Sequence, residues 1–134
     1  MHKGRHLLVE CRNVKRELCV DDRLVLETMA RAAARAGATV VSQVRYRFGH
    51  DSPAGFTAVV LLDESHVSVH SYADHGLMAL DVFTCGNTDP NEVLRFIRLE
   101  LDLGQVTVQE IGRFVLDDLA RVLDDVLQES PLPC

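Results

Sequence analysis

Between Asp63 and Gly86 the chain reads DESHVSVHSYADHGLMALDVFTCG, its densest run of side chains able to attack, carry protons or pair with charge. Ser65 offers a hydroxyl next to the peptide bond that follows Glu64; His66, His70 and His75 offer imidazoles, and Cys85 a thiol. Hydroxyl, imidazole and thiol are the groups from which nucleophilic and acid–base catalysis is assembled, and imidazole titrates near neutral pH. Taken alone, Glu64-Ser65-His66 is a common strand edge, and Cys85 after apolar Val82 and Phe83 has the pattern of a small core residue. A shared metal is disfavoured by length. Four residues of extended chain at ~3.3 Å each put His66 about 13 Å from His70, whereas zinc holds its nitrogens at about 2.1 Å. Only a tight turn gathering His70, Asp74 and His75 would change that, so no metal is expected.

The same segment resembles the signature of the bacterial S-adenosylmethionine decarboxylases, in which an ESH triplet, a histidine five residues after the serine and a DVFTCG-like strand recur in that order. GRHLLVEC near the start, AGATVV, the Arg47-Phe48 pair and Asp89-Pro90 resemble that family as well, so the likeness spans most of the chain. Decarboxylating an amino acid leaves a carbanion that needs an electron sink, which no natural side chain supplies. The resemblance implies that the sink is a pyruvoyl group made from an internal serine. Carried onto this chain, Ser65 attacks the Glu64 carbonyl, the resulting ester breaks by β-elimination, and the dehydroalanine left behind hydrolyses. The products are residues 1–64 and residues 65–134, the second beginning with the pyruvoyl group that forms a Schiff base with substrate. His70 matches the processing base that removes the Ser65 α-proton, and Cys85 matches the donor that reprotonates the product. Thr57 stands where the family carries a processing serine. Neither pyridoxal phosphate nor a metal is then required.

For substrate binding the family carries a TWPE-like stretch after the processing histidine, with a glutamate for the ribose hydroxyls and aromatics around the adenine. This chain has Ser71-Tyr72-Ala73-Asp74 there. Asp74 keeps a shorter carboxylate, Tyr72 keeps an aromatic face, and Phe48 matches the other stacking position. An apparent insertion, His50 to Gly55, precedes Thr57. S-adenosylmethionine is the expected substrate. The departures leave L-arginine or L-ornithine as an alternative, because a carboxylate without a stacked nucleoside can pair a guanidinium or ammonium group. A third reading is an uncut, non-catalytic paralogue that regulates a partner subunit.

These residues have to be placed by the surrounding elements. Arg5 to Cys11 reads as a strand, and Asp22 to Ala36 as a helix with an apolar stripe of Leu24, Leu26, Met29, Ala30, Ala33 and Ala34, closed by Gly37. Strands follow over Thr39 to Phe48 and Phe56 to Leu62, then a hairpin of His66 to Ser71 and Leu77 to Thr84 around Tyr72 to Gly76. Asp89-Pro90 opens a second helix that ends before Gly104, Gln105 to Glu110 alternates as a strand, and Asp117 to Gln128 has a helix-like pattern. Strict alternation would turn Ser65 and His70 to opposite faces, so a turn or bulge is required near the Glu64-Ser65 bond.

The order predicts a single α+β domain over residues 1–134, a two-layer sandwich with a mainly antiparallel sheet and helices on one face. The sheet's other face needs a cover, which a second copy packed sheet to sheet would provide as a homodimer. Fourteen basic residues against twenty acidic ones give a net charge of −6, which argues against nucleic acid and anionic membranes as partners. Four cysteines without CxxC spacing, and an N-terminal apolar run too short for a signal peptide, predict a cytoplasmic protein with free thiols.

Overall fold

The computed structural model describes residues 1–116 and 126–127. The helix expected over Asp117 to Gln128 therefore lies outside the described residues except for Val126 and Leu127. Among the described residues six strands and three α-helices follow in the order β1 (His2–Arg12), α1 (Arg16–Cys19), α2 (Asp22–Arg35), β2 (Val40–Phe48), β3 (Gly55–Leu62), β4 (His66–Tyr72), β5 (Leu77–Cys85), α3 (Pro90–Glu100) and β6 (Gln105–Val115), with a short 3-10 turn, Ala73–His75, between β4 and β5. The strands form one sheet in the order β2-β3-β4-β5-β1-β6, and every neighbouring pair runs antiparallel. The expected α+β architecture is thus present. Among the described residues no helix is long and apolar enough to cross a membrane.

The two longer helices, α2 and α3, begin where local chemistry favours it. The Asp21 carboxylate accepts the Leu24 N–H at 3.1 Å, and Asp89 accepts the Asn91 N–H at 2.9 Å with Pro90 in the first turn. Gly37 follows α2 with φ of +101°, a backbone setting that a side chain would strain. The buried stripe of α2 is rotated from the expected one: Val25 and Ala32 join Leu26, Met29, Ala30 and Ala33, while Leu24 and Ala34 are exposed. The short helix α1, in the polar stretch before Val20, was not foreseen; four residues give too little periodicity to detect.

The helices cover one face of the sheet. Alternation buries Leu7 and Val9 on β1, Phe56, Ala58 and Val60 on β3, Val67 and Val69 on β4, and Leu80 and Val82 on β5. These pack with Met29 and Ala33 of α2 and Val93 and Ile97 of α3. Burying each large apolar side chain contributes roughly 1.5–3 kcal/mol, which is what fixes the register of the strands. Both β1 and β6 are longer than their sequence patterns indicate. The reason is mutual pairing: His2 to His6 hydrogen-bonds with Ile111 to Val115 irrespective of side-chain pattern.

The opposite face has no covering layer among the described residues. It carries Tyr46 and Phe48, Thr57 and Leu61, His66, Ser68, His70 and Tyr72, Asp81, Phe83 and Cys85, and His6 and Leu8. Phe48, Thr57, His70, Tyr72 and Cys85 therefore share a single open face.

Candidate active site

The Glu64-Ser65 bond lies in the turn joining β3 to β4, where the Leu62 N–H donates to the Ser65 carbonyl at 2.9 Å and the Asp63 N–H to the Thr39 carbonyl at 3.1 Å. The turn demanded by the spacing of Ser65 and His70 is present. Cys85, the last residue of β5, stands beside it, and its thiol donates to the Glu64 carbonyl oxygen at 3.4 Å. Lys3 approaches the Glu64 carboxylate at 3.6 Å. A polar cavity of ≈ 130 Å³ borders Thr39, Asp63, Glu64, Ser65, Cys85 and Thr88.

A second group lies further along the same face. Thr57 and His70 are cross-strand partners, and Thr57 Oγ1 is 2.8 Å from His70 Nδ1. One level beyond, Phe48 on β2, Gly55 on β3 and Tyr72 on β4 stand in a row. A side chain at Gly55 would run into the Phe48 ring and the Ser71 carbonyl, so the bare glycine is what admits the aromatic ring. Asp74 is bound by the chain's own Arg16, whose guanidinium donates to its carboxylate at 2.9 Å. Beside Tyr72, a shallow cavity of ≈ 220 Å³ also borders Glu10, Leu77 and Ala79.

The two groups do not meet within one chain. The turn at Glu64-Ser65 does not fold His70 back, because β4 is regular from His66 onward and pairs along its whole length. Five residues of extended chain separate Ser65 from His70 by about 16 Å. Between the groups lies a cluster that sequence reading passed over. His6 Nε2 is 3.2 Å from the Asp81 carboxylate, and the rings of His6 and His66 flank Phe83 at 5.6 and 5.7 Å. Burial, reinforced by the neighbouring His6, pushes the His66 pKa below that of free histidine, with Asp81 opposing. The signal that would have found this cluster is alternation. Alternation along RHLLVEC and LMALDVFTC places His6, Asp81 and Phe83 on one side of the sheet, an assignment the sequence reading did not make.

The thiols differ in the same way. Burial pushes Cys11 up to about 11 and raises Cys19, both of which sit in the core, whereas Cys85 is half-exposed at the turn. Among the described residues, no three histidine, cysteine or acidic side chains are grouped to hold a metal ion.

Residues 5–114 match the family model described as S-adenosylmethionine decarboxylase. The chain belongs to this family. A protein named S-adenosylmethionine decarboxylase proenzyme from Symbiobacterium thermophilum is 41% identical over 99 residues, 73% of each chain. One of the same name from Thermotoga maritima is 34% identical over 117 residues, 87% of this chain and 88% of the relative. The crystal structure of the adenosylmethionine decarboxylase from Aquifex aeolicus superposes with a TM-score of 0.73 at 30% identity, covering 87% of this chain and 95% of that one. The family's sheet is thus the scaffold on which Ser65, Cys85, Thr57 and His70 are arranged here.

Proposed function

We propose that this chain is a proenzyme that cuts itself between Glu64 and Ser65 and then decarboxylates S-adenosylmethionine. The observation that carries the reading is the Cys85 thiol hydrogen-bonded to the carbonyl that Ser65 must attack. When the Ser65 hydroxyl adds to that carbonyl carbon, negative charge builds on its oxygen, and a donor already in place stabilises it. The peptide nitrogen then leaves and an ester links Glu64 to the Ser65 oxygen. A base removes the Ser65 α-proton, and the bond to the Glu64 carboxylate breaks. Hydrolysis of the remaining dehydroalanine releases ammonia and leaves a pyruvoyl terminus, and the polar cavity beside Ser65 is large enough to hold the water this step consumes. The pyruvoyl carbonyl supplies the electron sink for decarboxylation.

His70 is the base. In the tautomer whose Nδ1–H donates to Thr57 Oγ1, Nε2 keeps its lone pair for the proton, and Thr57 holds the ring. Such a base has to come within hydrogen-bond reach, about 2.6–3.2 Å, of the proton it takes, and the ~16 Å along β4 forbids this within one chain. A second copy packed sheet to sheet in a two-fold dimer brings His70 and Thr57 of one chain over Ser65 and Cys85 of the other. The exposed Tyr46, Leu61, Tyr72 and Ile111 on the open face supply apolar surface for that contact.

The substrate site is likewise half-built in one chain. Of Phe48, Tyr72 and Asp74 only Tyr72 borders the ≈ 220 Å³ cavity, which itself falls short of the roughly 300–1,000 Å³ of complete ligand pockets. Phe48 and Tyr72 on either side of bare Gly55 offer two aromatic faces for the adenine, and Asp74 a carboxylate for the ribose. Arg16 holds the Asp74 carboxylate, so a cationic arginine or ornithine side chain has to compete with it for that anion, which weighs toward S-adenosylmethionine. The reading is tested by supplying S-adenosylmethionine, L-arginine and L-ornithine to purified protein and measuring carbon dioxide. Release from the first alone supports it, and preferential release from either of the others contradicts it.

A further inference from the structure

Beside Cys85 in the sheet stands Gly4, its cross-strand partner on β1. Gly4 is buried, and its backbone lies outside the positive-φ region, so conformational freedom does not explain the glycine. Glycine also weakens a strand interior, which makes its presence there a matter of space. A Cβ on Gly4 would lie 3.0 Å from Cε2 and Cζ of Phe83 and 3.2 Å from the Cys85 sulfur. Carbon atoms in good contact sit at about 3.5–4.0 Å, so a neighbour would have to move aside by a few tenths of an ångström.

The Phe83 ring has little room to yield. His6 meets it edge-on at 5.6 Å, His66 lies against it at 5.7 Å, and the Arg113 guanidinium covers it at 5.4 Å. Arg113 pairs with Gly4 from the other side, so its side chain reaches Phe83 across the same bare glycine. Among the described residues the Cys85 thiol has a single hydrogen bond, the 3.4 Å one to the Glu64 carbonyl, and the sulfur is therefore the atom that gives way.

We propose that Gly4 is a positioning residue: the side chain it lacks leaves the gap in which the Cys85 thiol stays aimed at the Glu64 carbonyl, between the Phe83 ring and the β1 backbone. The inference rests on the self-cleavage reading for its consequence but on the sheet geometry for its cause. Displacing the sulfur by a few tenths of an ångström lengthens and misaligns its bond to the oxygen on which charge develops, and cleavage slows while the fold survives.

The experiment uses the full chain with Gly4→Ala and two readouts. Cleavage is followed by intact mass. The thiol is followed by its infrared S–H stretch in a Ser65→Ala background, which keeps the chain whole, as a difference against the matching Cys85→Ala protein. Gly4→Ala should cut about tenfold more slowly, and its S–H band should move toward the frequency of an unbonded thiol. A merely structural glycine slows cleavage without moving the band, and that result overturns the inference, as does cleavage at the wild-type rate. A wild-type chain that never cuts refutes the self-cleavage reading instead, and the band alone then decides the role of Gly4. Where Gly4→Ala fails to fold, Gly4→Ala/Phe83→Leu removes the ring contact and keeps the sulfur contact. Slow cleavage with a shifted band in that folded variant supports the inference; wild-type behaviour, or failure to fold, overturns it.

Discussion

Two chains that cannot cut themselves should restore cleavage when they are paired. His70→Ala removes the proposed base and keeps the proposed nucleophile; Ser65→Ala does the reverse. Loss of a general base costs about 10²–10⁴ in rate, so His70→Ala alone stays essentially whole while the wild type completes cleavage. Within one chain the two groups are separated by about 16 Å of β4, far beyond the ~2.6–3.2 Å that proton transfer allows. In a mixed dimer, Ser65 of the His70→Ala chain faces the intact His70 of the Ser65→Ala chain. Random pairing of equal amounts makes about half the dimers mixed, so about half of the His70→Ala chains should be cut. No Ser65→Ala chain should be. The two proteins are refolded together, and intact mass identifies which chain has been cleaved. A mixture that dimerises yet stays uncut refutes the shared site, and so does equal cleavage of His70→Ala on its own.

Further outcomes follow from the same geometry. Thr57→Val removes the 2.8 Å contact to His70, and since a neutral hydrogen bond contributes about 0.5–1.5 kcal/mol, cleavage should slow by up to roughly tenfold. Thr57→Ser should cut at least as fast as the wild type; time courses of chain appearance check both. Asp74→Ala should raise KM for S-adenosylmethionine about tenfold with little change in kcat and no gain of arginine decarboxylation, as measured by carbon dioxide release. For His66, burial keeps the folded pKa below the unfolded value of about 6.5, so the unfolded chain takes the proton first and stability falls as pH drops from about 6.5 through the folded pKa. Urea midpoints at about pH 7.5 and about pH 5.5 should show a larger loss for the wild type than for His66→Gln, and equal losses would contradict the assignment.

What the sequence disclosed and what it hid have physical causes. Strands β2 to β5 and helices α2 and α3 were legible because caps, turn residues and alternation act locally. The length of β1 and β6 was not, since their outer halves exist through pairing with each other. The buried stripe of α2 was misplaced toward Leu24, because periodicity fixes the spacing of apolar residues but not which flank the sheet covers. In the site, Ser65, His70, Cys85 and Thr57 were singled out through the resemblance to a family signature, and the structure sets Thr57 beside His70 and Cys85 beside the Glu64 carbonyl. Their division into two groups was invisible, because it depends on how far β4 runs without a break. Gly4 was noted only as the first residue of GRHLLVEC and Arg113 not at all, since their meaning lies in what stands opposite them in neighbouring strands.

The central claim is that Ser65 breaks the backbone beside it. Intact mass of the purified, active protein tests this most directly. Two chains are predicted, residues 1–64 ending in an ordinary carboxylate and residues 65–134 lighter than a serine-started chain by one ammonia. Decarboxylation by a preparation containing only one continuous chain, with residue 65 an unmodified serine, would contradict it.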